Sequence, residues 1–216
     1  MTFYSTTDNL IQTTFAEKWR VTPARLEEIC KADPGRPRIL VLNYPGNPEG
    51  GTYTAQELAE IAAVSRKFGV ILLSDEIYGQ LHHTGSHVSV ARFYPEFTVI
   101  SSGLSKWCGA GGWRLGTFTF PPDLKWLMES MAAVASETYT SVSAPIQYAA
   151  VEAYKGNHSA YLEAVKRILS FTGNYAYENL KSNVINVTKP EGGFYLFPEF
   201  TNAKFSSSSE MCKDIL

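Results

Sequence analysis

The sequence predicts an α/β fold, a mostly parallel sheet flanked by helices, followed by the start of a small α+β domain. Three observations predict it. Short, continuous apolar runs recur through the first half of the chain. A stretch of helical period with its own cap separates the first run from the second. Each of the first three runs ends abruptly in a turn-rich or polar stretch. Continuous apolar runs joined through a helix mark strands buried on both faces, as in parallel sheets.

Ile39-Leu40-Val41-Leu42 is the first run, and it ends in Asn43-Tyr44-Pro45-Gly46-Asn47-Pro48. Thr54 caps the next helix, with Glu57 three residues on as its capping-box partner. Leu58, Ile61, Ala62 and Ser65 then repeat at helical spacing. Val70-Ile71-Leu72-Leu73 is the second run and ends in Ser74-Asp75-Glu76. Phe97-Thr98-Val99-Ile100 is the third and ends in Ser101-Ser102-Gly103. Residues 115–120 form a fourth run, richer in Thr and aromatics.

Beyond Pro121-Pro122 the period turns helical, over residues 123–135 and again over 144–154. Residues 158–180 read as one long helix, with Tyr161, Val165, Ile168 and Leu180 among its apolar positions. Val184-Ile185-Asn186-Val187 and Phe194-Tyr195-Leu196-Phe197 read as two strands around a Pro190-Glu191-Gly192-Gly193 turn. A last helix begins near Ser209, with Met211, Ile215 and Leu216 as its apolar positions. The change of character divides the chain into a large domain, 1–156, and a linking helix with the beginning of a small domain, 157–216.

Composition bounds the function. The chain has 216 residues, 44% hydrophobic and 19% charged, with a net charge of −2 and no block of like charges. That balance fits a globular protein with a sizeable core and gives no support to nucleic acid or an anionic membrane as partner. Cys30, Cys108 and Cys212 are widely spaced and form no C-x-x-C pair, so neither a disulfide framework nor a zinc site is expected. Met1-Thr2-Phe3-Tyr4 shows no basic stretch leading into an apolar run, and no segment approaches a membrane span. A cytoplasmic protein is expected. His82, His83 and His87 cluster without a Glu or Cys at metal-binding spacing, so they read as a solvated loop and no metal site is expected.

The order of the runs has a positional consequence. In open α/β sheets, ligands gather beyond the carboxyl ends of the strands. Asn47, Asp75, Tyr78, Ser102 and Lys106 all follow such ends and converge on one crevice if the strands are parallel.

Four local motifs sharpen this: residues 43–50 (NYPGNPEG), Ser74-Asp75-Glu76-Ile77-Tyr78, Ser105-Lys106, and Gly112-Trp113-Arg114-Leu115-Gly116. In order and spacing they resemble the markers of fold-type I pyridoxal-phosphate (PLP) enzymes, specifically the class I/II aminotransferases related to aspartate aminotransferase. The resemblance runs over about residues 14–200. It implies a PLP-binding large domain and an amino-group transfer between an amino acid and a 2-oxo acid. It also implies a homodimer. Lys106 would form the imine to the cofactor, and its freed amine would shuttle the Cα proton. Asp75 would face the pyridine nitrogen, because a buried anion favours the protonated partner. Asn47 and Tyr78 would donate hydrogen bonds to the phenolic oxygen. Arg114 would grip the phosphate with its planar fork, and Ser105 would add a hydroxyl contact. Phe194 stands where the family has an aromatic near the substrate, and also where a strand-core phenylalanine would stand. Gly109, Gly111 and Gly112 permit a close backbone approach or a sharp bend, but their spacing is not that of a nucleotide loop.

The same anchor residues serve lyases and synthases that act on amino acids, and a catalytically inactive remnant would retain them too. Many relatives carry a phosphate-binding serine three residues before the lysine, where this chain has Gly103, preceded by Ser101 and Ser102. The upstream phosphate loop and ring-stacking aromatic, and the downstream arginine for the substrate carboxylate, find no counterpart. The sequence therefore reads as a fragment lacking both ends, with an unpaired sheet edge.

Overall fold

Three strands, β1 (Ile39–Asn43), β2 (Ile71–Asp75) and β3 (Thr98–Gly103), lie parallel in the order they are made, and β4 (Gly116–Thr119) pairs antiparallel to β3. This computed structural model describes residues 10–201 and 204–216; Met1-Thr2-Phe3-Tyr4, examined above for a leader, lies outside them. The fold is the expected mostly parallel α/β sheet, with its three parallel strands at the expected apolar runs.

The helix between β1 and β2 is α2 (Ala55–Phe68). Its capping box forms as expected: the Thr54 hydroxyl accepts from the Glu57 backbone N–H, and the Glu57 carboxylate accepts from Thr54 N at 2.7 Å. Gly69 ends it at φ 65°, a left-handed cap that a glycine adopts without steric cost. Leu58, Ile61, Ala62 and Ser65 form its buried stripe. They pack with Leu26 and Cys30 of α1 (Pro23–Ala32) against Leu40, Leu42 and Leu72 of the sheet.

Strand alternation leaves the other face of β1 bare, with Ile39 and Val41 56% and 58% exposed. Coverage of the sheet by helices is thus incomplete. A second apolar cluster forms near the carboxyl ends of the strands, where Tyr78, Leu81, Leu104, Trp107, Ala110 and Leu115 are buried together with Ala150 of α4 (Ala144–Lys155). Half-buried Leu162, Val165 and Leu169 of α5 (Ser159–Leu180) pack against it. Neither α3 (Lys125–Thr138) nor α5 has a fully buried residue.

One expectation needs correction. The strand read at 194–197 is absent, and the small sheet pairs β5 (Ile185–Asn186) with β6 (Glu199–Phe200). The reason is where the preceding turn sends its backbone hydrogen bonds. Gly193 N–H donates to Leu81 O, and Glu191 and Gly192 N–H both donate to Gly50 O. These bonds hold the turn against the large sheet, and the chain runs on without a ladder until Glu199. The last helix, α6 (Ser208–Ile215), starts one residue from its expected position, and the Ile215 side chain lies outside what is described. Among the described residues no helix is long and apolar enough to cross a membrane.

Candidate active site

Register gathers the predicted residues at one edge. Asn43 pairs with Asp75, and Asp75 with Ser101, so β1, β2 and β3 all leave the sheet at the same level. β4 enters at that edge, with Gly116 opposite Gly103, which sets Arg114 just outside it. Asn47, Asp75, Tyr78, Ser105 and Lys106 all lie at or just beyond the strand ends on that edge, and Arg114 just before β4, although 67 positions separate the first from the last.

Asp75 ends β2, half-buried, and its Oδ1 accepts from Ile77 N at 3.3 Å. Burial pushes its carboxyl up, the Ile77 N–H and the Asn43 amide pull it down, and the adjacent Glu76 charge pushes it up; the net direction is upward. Among the described residues no basic side chain forms an ion pair with it. Glu76 is in a different situation. It accepts from Ser74 Oγ at 2.9 Å, Ser89 Oγ at 2.5 Å and His87 Nε2 at 2.9 Å. Burial alone would raise its carboxyl, but these donors and the His87 charge hold it below the usual range. Two neighbouring carboxylates thus divide: Glu76 is saturated by donors, and Asp75 is left short of one.

Asn43 braces the rim. Its amide donates to the Asp75 carbonyl at 3.3 Å, and its Oδ1 accepts from Asn47 N at 2.8 Å. Asn47 itself is exposed. Tyr78 is buried to 2%, and its hydroxyl donates to the Tyr195 hydroxyl at 3.1 Å. Burial, the Tyr195 hydrogen bond and the Asp75 charge all push that hydroxyl well above the ordinary tyrosine range, and Asn47 pulls the other way.

Lys106 projects from a tight turn whose flanks are pinned. Leu104 and Trp107 are buried on either side, Ala110 N–H donates to Leu104 O at 3.2 Å, and Gly109 takes φ 65°. With the neighbours anchored, Ser105 and Lys106 stay half-exposed. The Lys106 Nζ lies 5.4 Å from the Tyr78 ring centroid and 5.6 Å from that of Phe194. The two rings meet edge to face at 5.5 Å. The amine thus sits against aromatic rings rather than a carboxylate. Arg114 is exposed, in the left-handed region at φ 56°, and donates one N–H to Gly111 O at 2.6 Å. Among the described residues its other N–H groups make no hydrogen bond. Ser105 adjoins Lys106 in the chain, and among the described residues no hydrogen bond links the Arg114 side chain to either.

Gly103 has a steric cause. A Cβ there would lie 2.7 Å from Leu115 O and 3.1 Å from Gly116 Cα, both backbone atoms of the chain entering β4. Strand alternation turns Ser102 to the opposite face and leaves Ser101 on the face of position 103.

The histidines are not a solvated loop. His83 bonds Gly193 O at 2.8 Å, His87 bonds Glu76, and His82 bridges to Gly192, all from half-buried positions. The loop is tied to the later turn, which withdraws it from water. No cluster of metal-binding side chains occurs among the described residues. Asn43, Glu76 and Tyr195 were given no role above, and His87 was read only as part of a solvated loop. Asn43 and Glu76 flank the predicted residues directly, so strand register could have found them. Tyr195 carries no local signal.

Comparison with known proteins agrees with the motif pattern. The family described as aminotransferase class I and II matches residues 6–216. Aspartate aminotransferase of Geobacillus stearothermophilus is 34% identical over 202 residues, covering 91% of this chain and 49% of that protein. A probable N-acetyl-LL-diaminopimelate aminotransferase of Bacillus subtilis is 35% identical over 183 residues, covering 82% and 45%. Among solved structures, alanine aminotransferase from Pyrococcus furiosus superposes with a TM-score of 0.79 at 29% identity, covering 88% of this chain and 49% of that one. The chain spans about half the length of the curated relatives it matches.

Proposed function

The chain belongs to the aminotransferase class I and II family, and from that premise we propose that its crevice holds PLP and moves an amino group between an amino acid and a 2-oxo acid. Members of the family use PLP. The side chains present suit the group. Asp75 is a half-buried carboxyl with no cation beside it, which suits a pyridinium N–H. Lys106 offers an amine with no carboxylate partner among the described residues, Tyr78 a phenol donor, and Arg114 an exposed guanidinium for a phosphate. Asn47 stands on the rim for the phenolic oxygen, and Ser105 beside Lys106 for the phosphate.

When bound, PLP supplies an electron sink for the electrons released as a bond to the substrate Cα breaks. The protein's part is to hold and move charge around it. Asp75 would supply the negative charge that pairs with a protonated ring nitrogen. Tyr78 donates from its hydroxyl, whose raised proton affinity keeps it a donor at neutral pH. Lys106 Nζ would carry the substrate Cα proton to the C4′ carbon of the cofactor. The Tyr78 and Phe194 rings give that amine an apolar surface on one side. The observation that carries this reading is the placement of the Lys106 amine against Tyr78, three residues beyond Asp75, at the carboxyl edge of a parallel sheet.

Residues 1–156 are proposed as the PLP-binding large domain, and 157–216 as linking helix and small-domain start. A homodimer is proposed on the exposed apolar side chains of the later helices, Trp126, Tyr148 and Phe171 among them, at 57%, 78% and 71%. A cytoplasmic location is supported by the three unpaired cysteines. The test is half-transamination: the PLP-loaded chain is mixed with single amino acids, and the amine form of the cofactor and the 2-oxo acid are measured. Their joint appearance supports transfer. Release of carbon dioxide or ammonia instead would assign a lyase, and no reaction with any amino acid would favour an inactive remnant.

A further inference from the structure

We propose that Tyr195 is a positioning residue for the cofactor: its hydroxyl holds the Tyr78 hydroxyl and strengthens the hydrogen bond Tyr78 gives to the PLP phenolic oxygen. The inference rests on the reading above that PLP occupies the crevice.

Tyr195 comes from the far end of the chain, 117 positions after Tyr78, yet the two hydroxyls lie 3.1 Å apart and the rings meet edge to face at 5.7 Å. Backbone contacts fix this meeting from both sides. Gly193, at φ 66°, donates to Leu81 O at 3.0 Å, and a Cβ on it would sit 3.5 Å from Tyr78 Cδ1. A Cβ on Gly50 would lie 2.6 Å from the Tyr195 carbonyl, so the loop after β1 runs directly against Tyr195. The backbone that carries the hydroxyl is therefore closely packed on both sides.

A phenol can accept and donate at once, and its proton rotates to suit the acceptor. Without an acceptor in the crevice, Tyr78 gives its proton to Tyr195. With the phenolic oxygen present, Tyr78 turns its proton there and Tyr195 donates into the Tyr78 oxygen. A donor that itself accepts is a stronger donor. The phenolic oxygen then holds less charge for the proton on Lys106 Nζ, and that proton leaves at lower pH. The other groups acting on Tyr78 are Asp75 from β2, Lys106 from the turn after β3 and Asn47 from the loop after β1, and all stay in place when the Tyr195 hydroxyl is removed.

The experiment uses the full chain loaded with PLP. Visible absorption is followed against pH for wild type, Tyr195→Phe, Tyr78→Phe and the double variant, with the borohydride-fixed label on Lys106 counted in each. Tyr195→Phe should keep its label and raise the titration midpoint by about half a pH unit. In the Tyr78→Phe background the same substitution should shift nothing. Coincident midpoints for wild type and Tyr195→Phe at full labelling overturn the inference and leave the PLP reading intact. Loss of label in Tyr195→Phe without a midpoint shift in the labelled fraction assigns Tyr195 a merely structural role and also overturns it. Absence of label in wild type overturns both.

Discussion

Placing a serine at position 103, where many relatives have one, should damage this protein rather than improve it. The magnitude follows from the β3–β4 contact. A Cβ at 103 would meet Leu115 O at 2.7 Å and Gly116 Cα at 3.1 Å. Both are backbone atoms, so no rotamer change relieves them, and the paired chains must separate by several tenths of an ångström. Gly103 and Gly116 are register partners, and the strain passes to Ser102↔Thr117 next to them. Overpacking of this kind costs about 1–3 kcal/mol. For a chain of this length each kcal/mol lowers the melting temperature by about 2–4 °C. Gly112→Ala is the control, because nothing lies within 4 Å of its added Cβ; it should stay within about 0.5 kcal/mol of wild type. Urea unfolding, read through fluorescence of tryptophans such as buried Trp107, measures both. A Gly103→Ser protein as stable as wild type would refute the steric account of the missing serine.

Three further outcomes follow from the same geometry. Tyr44→Phe should destabilise by about 1–3 kcal/mol in urea unfolding, because the buried Tyr44 hydroxyl accepts from Val90 N–H at 2.8 Å and nothing replaces it. Glu76, held low by His87, Ser89 and Ser74, contributes stability that is present above the ordinary carboxylate range and is lost as pH falls through its lowered folded value; Glu76→Gln should therefore flatten the acid limb of a stability-against-pH profile, and an unchanged limb would reject the assignment. Asp75 has the opposite sign. Its raised folded value favours the fold at low pH and loses that advantage as pH rises, so Asp75→Asn should make the cofactor-free chain at pH 7 at least as stable as wild type while weakening PLP binding at least tenfold in a spectroscopic titration.

What could be read from the residues in advance was local, or followed from strand order. The Thr54–Glu57 box, the stripe of Leu58, Ile61 and Ala62, and the ends of the first three runs are encoded within a few positions of one another, and all appear at those places. Convergence of Asp75, Tyr78 and Lys106 followed from parallel order alone, since register fixes which residues leave the sheet together. Helix α1 went unread because its buried side is sparse, Leu26 and Cys30 only, although Thr22 and Pro23 mark its start. His82, His83 and residues 194–197 were misread for a common reason. Their backbone and ring partners lie more than a hundred positions away, His83 on Gly193 and Gly193 on Leu81, and no window along the chain contains both. Tyr195 belongs to the same class. Its position depends on close backbone passages at Gly50 and Gly193 that appear only once the two segments are packed.

The most direct test is to mix the chain with PLP, reduce with borohydride, and map the modified peptide by mass spectrometry. One cofactor per chain, fixed on Lys106 and abolished in Lys106→Ala, is the expected result. A label spread over surface lysines such as Lys125 or Lys155, or one that survives unchanged in Lys106→Ala, would contradict it.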